Sequence, residues 1–410
     1  MIPEKVQRAL DELRSGGLVV VADDHDREDE GDLIMAAEKS TPQSIAFMVR
    51  HTSGVICVAL EDARATELGL PPMVTQNGEA QRTAFTVSVD LRHGTTTGIS
   101  ASDRSATICA LAAKTTRAGD LVRPGHVFPL RARPGGVLER RGHTEAATDL
   151  TRIAGLEPAG VLCELVDDRG GMLRGPALQA FARKHRLPFL HIDELVAYRR
   201  RSEPLVDHVS EARLPTRHGV FRAHVYRARF GGHEHVALVY GEVRGAPNVL
   251  VRVHSECLTG DAFGSIRCDC REQLEMAMQN VVAAGRGVVV YLRGHEGRGI
   301  GLSRKLAAYE LQDRGRDTVE ANLELGLPVD SRSYDTGAQI LTDLGLTTLR
   351  LMSNNPAKFT ELDGYRLKIV ERVPLVTRPT AENVRYLRTK QRKLGHSLEL
   401  SGTSPRRERR

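Results

Sequence analysis

Apolar and polar positions alternate along this chain in two rhythms. LVVVADD (18–24), VICVAL (55–60) and FTVSVD (85–90) are short, β-branched runs of strand length. QSIAFMVRH (43–51) and SATICALAAKT (105–115) repeat apolar residues at the three-to-four spacing of amphipathic helices. The same interleaving returns at VLVRVH (249–254), EQLEMAMQNVVAAG (272–285), GVVVYL (287–292) and SRKLAAYELQDRG (303–315). At the N-terminus, Pro3 suits a first helical turn, and Val6, Leu10 and Leu13 share one face. The pattern predicts an α/β protein of two domains, each a mixed sheet with flanking helices. The charged stretch HIDELVAYRRRSEPLVDHVSEARLPT (191–216) contains two prolines and reads as the connection. It places the domains at 1–203 and 204–410.

Composition narrows the class. No apolar run approaches the ~20 residues of a membrane helix, and the first residues lack the apolar stretch of a signal peptide. Six cysteines in 410 residues are too sparse for a disulfide framework. A cytoplasmic protein with no membrane partner is therefore expected. The formal charge is +6, and half of it comes from Arg406, Arg407, Glu408, Arg409 and Arg410, a basic tail that reads as a solvated end. A zinc-containing nucleic-acid binder would need paired CxxC motifs or an aromatic stacking platform. Aromatics at 4% with no Trp supply neither, so no nucleic-acid partner is expected.

Candidate chemistry in the first half begins where an apolar strand runs into Asp23, Asp24, Asp26, Glu28, Asp29, Glu30 and Asp32, with Arg27 among them. Carboxylates at this density repel unless a cation or substrate compensates, and hard cations such as Mg²⁺ take one or two carboxylates plus oxygens of water and substrate. A solvated acidic turn is the plainer reading of the cluster alone. RPGHVFPL holds His126, and ERRGHTEAATDL brings Arg140, Arg141, Gly142, His143 and Thr144 to a helix start that can hold a phosphate. His143 could bind metal and His126 could move a proton. Glu164 lies in the apolar strand VLCEL, where burial would raise its pKa. Together these point to a Mg²⁺-dependent sugar-phosphate enzyme.

With DREDEGDL, TTGISASDR, RPGHVFPL and RRGHTEAA in order, residues 3–200 resemble the 3,4-dihydroxy-2-butanone 4-phosphate synthase family. The resemblance implies rearrangement of D-ribulose 5-phosphate with release of formate. It also implies Mg²⁺ (or Mn²⁺) held by Glu28 and His143. Arg27, Glu28, Asp32, Arg140, Arg141, Gly142, His143, Thr144 and Glu164 would contact substrate, with His126 and Glu164 essential for turnover. One departure is Gly171, where the family pattern leads one to expect Thr.

In the second half, Cys257, Cys268 and Cys270 crowd together at a spacing that fits no paired CxxC finger. Three thiolates without an obvious fourth ligand suggest a zinc site with an open position, as in catalytic zinc. RGHEGRGIGL (293–302) is a Gly-rich loop between a strand and a helix, and VDSR and SNNPAK add polar clamps. The conjunction suggests a nucleotide hydrolase. RVHSECLTGD, CDCREQL, GHEGRGIGL, DTVEANLELGL, VDSR and NNPAK resemble the GTP cyclohydrolase II family over residues 207–395. That resemblance implies opening of the guanine imidazole ring of GTP, with loss of formate and pyrophosphate. It implies Zn²⁺ on Cys257, Cys268 and Cys270, and Mg²⁺ on the triphosphate. GTP contacts would come from Arg252, Val253, His254, Ser255, Glu256, Gln273, Glu296, Gly297, Arg298, Thr318, Ser353 and Lys358. Asp330 would accept a proton and Arg332 would be the nucleophile. An always-protonated guanidinium is physically a better phosphate clamp than a nucleophile. Arg271 and Ser353 stand where the family usually has Gly and Thr.

Both halves thus resemble entry enzymes of riboflavin synthesis, in the order of the bifunctional family that fuses them. Two active sites and a homodimer are implied. The alternative is one active half carried on the other as a scaffold.

Overall fold

The computed structural model describes residues 2–24, 27–79, 81–355, 362 and 365–395. Asp26, Lys358 and the basic tail lie outside the described residues. The chain divides into two compact units, Met1–Ser202 and Glu203–Arg410.

In the first unit the described elements are α1 (Glu4–Ser15), β1 (Val19–Ala22), β2 (Gly31–Ala36), α2 (Pro42–His51), β3 (Cys57–Glu61), α3 (Asp62–Glu67), β4 (Val89–Leu91), α4 (Ala101–Ala112), β5 (Leu121–Ala132), α5 (His143–Ile153), β6 (Ala159–Glu164), α6 (Pro176–His185), β7 (Phe189–His191) and α7 (Ile192–Ser202). The strands form one mixed sheet in the order β4-β5-β3-β6-β2-β1-β7. Alternation along β1 explains the layering. Val19 and Val21 face a core shared with Val6, Leu10 and Leu13 of α1 and Leu150 of α5, while Val20 faces the opposite core with Ile45 and Met48 of α2 and Ile108 of α4. Helices cover both faces, which is why the inner strands read as unbroken apolar runs.

The second unit continues with β8 (Val206–Thr216), β9 (Gly219–Ala228), β10 (Glu234–Tyr240), β11 (Val249–Ser255), α8 (Leu258–Asp261), α9 (Cys270–Ala283), β12 (Gly287–Leu292), α10 (Leu302–Asp313), α11 (Thr318–Glu324), α12 (Asp335–Asp343), β13 (Thr348–Met352), β14 (Lys368–Val373) and a last helix, α13 (Val384–Leu394). Its sheet, also mixed, runs β14-β13-β11-β12-β10-β9-β8. One face packs on α12 through Ala338, Ile340 and Leu341, and the other on α9 through Ala277, Met278 and Val281.

Two sequence expectations change. The connection read at 191–216 is mostly ordered structure: the end of β7, α7 and β8 occupy it, leaving 203–205 between α7 and β8. Strand β8 sits at the sheet edge and is exposed along most of its length, so its residues are polar and mask the strand. The strand expected at 85–90 is reduced to Val89–Leu91, with isolated bridges at Phe85 and Thr86. Among the described residues, no helix is long and apolar enough to cross a membrane.

Candidate active sites

The acidic loop of the first unit joins β1 to β2, two paired strands, so its carboxylates gather at one end of the sheet. Asp23 is buried. It accepts from the Glu30 amide at 3.0 Å and from Arg27 Nη1 at 2.7 Å, while the same guanidinium reaches Glu28 Oε2 at 2.6 Å. Facing them is His143, first residue of α5. Its Nε2 lies 3.2 Å from the Val21 carbonyl, which can only accept, so the proton sits on Nε2 and Nδ1 keeps a lone pair. That lone pair is 3.7 Å from Asp32 Oδ1, a buried oxygen with no hydrogen-bond partner. Two acceptors pointing at each other across this gap call for a cation or a proton between them.

The electrostatics agree. Burial pushes the Asp32 carboxyl well above the usual range, and Glu164, Glu28 and Asp23 add to it. Burial also raises Glu28, and it lowers His143 to about 4, keeping the ring neutral as a ligand must be. Asp23, Glu28 and His143 bring donor atoms within 4.8 Å of one another. The sequence pointed to Glu28 and His143 here; Asp23 is the donor it passed over, one aspartate among seven acids.

Glu164 pairs in register with Asp32 and accepts from Ser53 Oγ at 2.8 Å. It is half-exposed rather than buried as expected, because β6 ends there. Arg140 is committed to Glu145 at 2.6 Å and to Thr83 at 3.1 Å; Arg141 reaches Asp193 at 2.8 Å. A Cβ on Gly142 would lie 2.2 Å from Arg140 Nη1 and 2.8 Å from Glu145 Oε2, so a larger residue there would displace the Arg140–Glu145 pair. The glycine gives α5 no side-chain cap, as a phosphate-accepting helix start requires, and Thr144 is buried in the first turn. Gly171 lies in a turn closed by Asp167, whose Oδ1 accepts its amide at 2.8 Å, and it touches none of these residues.

His126 stands apart. Its Nδ1 pairs with Asp90 Oδ2 at 2.7 Å and its amide with Asp90 Oδ1 at 2.9 Å. A Cβ on Gly98 would meet Asp90 Oδ2 at 2.1 Å and His126 Nδ1 at 2.7 Å. The ring is thus held in a slot open only to glycine. Strand β3 lies between β5 and β6, so two strand spacings, about 10 Å, separate His126 from Glu164.

In the second unit, β11 turns Val251 and Val253 to the core and Arg252 and His254 to a cleft. Arg252, His254, Ser255 and Glu256 line an open cleft with about 1090 Å³ of empty space, joined by the three cysteines, Gln273, Glu296, Gly297, Arg298, Thr318, Arg332 and Ser353. Val253 does not line it; its side chain packs in the core beside Val290 and Leu292. Asp330 is also outside the lining, behind Arg332.

The thiols of Cys257, Cys268 and Cys270 lie within 4.8 Å of one another and all are free. A Cβ on Gly260 would come within 2.8 Å of Cys268 Sγ and 3.1 Å of Cys257 Sγ, so the glycine keeps the thiol pocket open. Cys257 accepts from both partner thiols and lies 3.2 Å from the Lys305 ammonium, which together hold it far below the usual thiol range. Hydrogen bonding to Cys257 pushes Cys268 up to about 11. One thiolate solvated by two thiols and a lysine is a donor set that fits a soft, thiophilic cation such as Zn²⁺.

Several of the residues expected to contact GTP also brace the cleft wall. His254 Nε2 is 3.2 Å from both Asp261 oxygens and stacks on Tyr291, and Asp261 in turn accepts the Cys257 amide at 3.0 Å. Glu296 accepts from the Leu258 amide at 2.6 Å and from Lys305 Nζ at 2.5 Å. Arg252 donates to the Met352 carbonyl and to Gln273, Gln273 donates to Asp269, and Asp269 pairs with Lys390 of α13 at 2.8 Å. Burial opposes charge on Arg332, but a two-pronged bond to Asp330 (2.8 and 2.5 Å) overrides it and raises its pKa further. The same pairing overrides burial at Asp330 and holds that carboxyl below its usual range. Arg332 is therefore a fixed cation, as its chemistry predicted. Arg271 bonds to Glu275 on α9, away from the cleft, so the departure from Gly does not crowd the thiols. Ser353 Oγ accepts the Asn355 amide at 3.1 Å, a bond a hydroxyl alone makes. Lys305, Tyr309 and Lys390 are cleft residues the sequence did not single out. The spacing of Lys305 and Tyr309 on an amphipathic helix gave the only signal.

Residues 7–198 match the family model of 3,4-dihydroxy-2-butanone 4-phosphate synthase, and residues 207–374 that of GTP cyclohydrolase II. Riboflavin biosynthesis protein RibBA of Salinispora arenicola is 60% identical over 96% of this chain and 94% of its own length. The bifunctional riboflavin biosynthesis protein RIBA 1, chloroplastic, of Arabidopsis thaliana is 58% identical over 96% of this chain and 73% of its own. The crystal structure of RibBX, a two-domain 3,4-dihydroxy-2-butanone 4-phosphate synthase from A. baumannii, aligns with a TM-score of 0.71 at 35% identity, over 90% of this chain and 99% of that one. Two family domains in one order and near-full-length relatives that carry both make this chain a member of the RibBA family of bifunctional riboflavin biosynthesis enzymes, with 3,4-dihydroxy-2-butanone 4-phosphate synthase ahead of GTP cyclohydrolase II.

Proposed function

We propose that both domains turn over independently and that each depends on its own metal. The first converts D-ribulose 5-phosphate to L-3,4-dihydroxy-2-butanone 4-phosphate and formate. The second hydrolyses GTP to 2,5-diamino-6-(5-phosphoribosylamino)pyrimidin-4(3H)-one, formate and pyrophosphate. The observation that carries this reading is that each unit has a converged donor set: Asp23, Glu28 and His143 in one, and three free thiols in the other.

In the first domain Glu28 and His143, with Asp23, hold Mg²⁺ (or Mn²⁺), which supplies positive charge against the oxyanions that develop on the sugar. Arg27 orients Asp23 and Glu28. Asp32 and Glu164, facing each other across β2 and β6, hold or move protons at the substrate hydroxyls. Arg141, Gly142 and Thr144 receive the phosphate at the start of α5. The His126–Asp90 pair serves proton transfer, with Asp90 fixing the ring tautomer.

In the second domain the three cysteines hold Zn²⁺, which supplies Lewis-acid charge at the cleft wall. Arg298 and Arg332 clamp phosphates, Mg²⁺ accompanies the triphosphate, and Asp330, ionised beside Arg332, accepts a proton. Thr318 and Ser353 orient the nucleotide. Arg252, His254 and Glu296 keep the cleft in shape. All six cysteines are free, which suits a reducing cytoplasm, and a homodimer is the proposed assembly.

Formate release tests the reading, with GTP and ribulose 5-phosphate supplied separately to metal-replete protein. Release from both substrates is expected. Release from one alone would reduce the other half to a scaffold.

A further inference from the structure

The β8–β9 hairpin carries three metal-type donors away from the cleft of its own unit. Strand β9 lies three strands from β11 in the sheet, roughly 14 Å, on the side away from β14. In its register His208 opposes Tyr226 and Glu211 opposes His224, with a shift between His208 and Ser210. Residues 208 and 211 are an odd number apart, so in a regular strand they would point to opposite faces. The bulge at Val209 turns both to the face of His224 and Tyr226.

The resulting distances have a metal-like size. His224 Nδ1 is 3.3 Å from His208 Nε2 and 3.2 Å from Glu211 Oε2. All three donor atoms fall within 4.8 Å of one another. Donors ~2.05 Å from a tetrahedral zinc stand about 3.3 Å apart, so two edges of that tetrahedron are already set. The supports are in place as well. Arg222 Nη1 donates to Glu211 Oε1 at 2.6 Å, leaving Oε2 for the imidazoles. The His208 ring packs 5.0 Å from Tyr226, itself buried and anchored to Asp343 at 2.7 Å. His224 has a side chain only 13% exposed, and burial lowers its pKa, keeping it in the neutral, ligating form.

We propose that His208, Glu211 and His224 form an additional site for a borderline divalent ion, with Zn²⁺ the best match, leaving one coordination position open to water or a small anion. Two imidazoles and one carboxylate exclude the hard-cation preference expected of the acidic loop and the all-thiolate preference of the cleft. The cavity beside Glu211 and His224, lined also by Glu242 and Arg244, gives the open position access to solvent.

Equilibrium dialysis of the full chain against Zn²⁺, with excess Mg²⁺ to occupy the acidic loop, tests the site. Wild type is expected to bind one equivalent more than the His208→Asn/His224→Asn variant, and both activities should stay at wild-type levels. Glu211→Gln should weaken that equivalent by at least tenfold. Cys268→Ser should remove a different equivalent, so the losses should add. Equal zinc stoichiometry and affinity in wild type, the double variant and Glu211→Gln would overturn the proposal.

Discussion

Lys305→Met removes a buried ammonium that satisfies three acceptors at once: Glu296 Oε1 at 2.5 Å, Thr259 Oγ1 at 2.8 Å and Cys257 Sγ at 3.2 Å. Methionine keeps most of the stem volume, so packing is nearly conserved and the charge is what changes. Glu296, 6% exposed, is then left with the Leu258 amide. A buried charge that loses its partner costs about 3–5 kcal/mol. Neutralising a glutamate from its ordinary range instead costs about 4 kcal/mol at pH 7.5 and about 1 kcal/mol at pH 5. The cheaper route sets the loss, so the domain should lose about 3–4 kcal/mol at pH 7.5 and only about 1 kcal/mol at pH 5. The sign follows because a carboxyl whose pKa rises on folding loses stability as pH rises. The chain has no Trp, and seven of its eight tyrosines lie beyond residue 203, so tyrosine fluorescence during urea unfolding reports on this domain. An equal loss at both pH values would mean the lysine acts through packing, and the charge argument would fail.

The other expectations separate the two sites. Cys268→Ser should abolish formate release from GTP while leaving release from ribulose 5-phosphate near wild type, and His143→Ala should do the reverse; matched losses in either variant would refute independent sites. Gly98→Ala, whose Cβ would strike Asp90 and His126 at a backbone φ of +89°, should cut ribulose 5-phosphate turnover at least tenfold with GTP turnover unchanged, as measured by formate release. His143 holds a pKa near 4 against an ordinary 6.5. Its contribution to stability is complete above pH 6.5 and falls away toward pH 4, by about 3 kcal/mol at ~1.4 kcal/mol per decade. In EDTA, wild type should lose that much more stability over this range than His143→Asn; parallel curves would show that the ring is not titrating. Removal of residues after Gly395 should leave both activities intact, and a large drop in either would assign the basic tail a role.

What was readable in the sequence was what local chemistry dictates. Runs such as GVVVYL and VLVRVH announce strands because helices cover both faces, and the thiol triad announces itself because cysteine is scarce elsewhere. The edge strand β8 was unreadable for the opposite reason: it faces solvent, so its composition imitates a linker. Site membership was harder than site location. Arg252, His254 and Glu296 were legible as polar residues near the cleft, yet only three-dimensional pairing shows that each is committed to a protein partner. Asp23 was hidden by its acidic neighbours, and Lys305 by lying on a helix whose pattern speaks only of packing. The separation of His126 from the acidic loop depends on strand order, which no spacing along the chain encodes.

The path from Arg252 through Gln273 and Asp269 to Lys390 has a consequence for where this enzyme can be cut. The match to the GTP cyclohydrolase II family model stops at residue 374, whereas Lys390, which neutralises a nearly inaccessible aspartate next to a zinc-type cysteine, belongs to the helix after it. A fragment ended at the recognisable boundary would keep every predicted ligand and still strand that carboxylate. Proteolysis ahead of Val384 should therefore silence GTP turnover without removing one residue of the family-model match, and this helix is better regarded as a keystone than as an appendage.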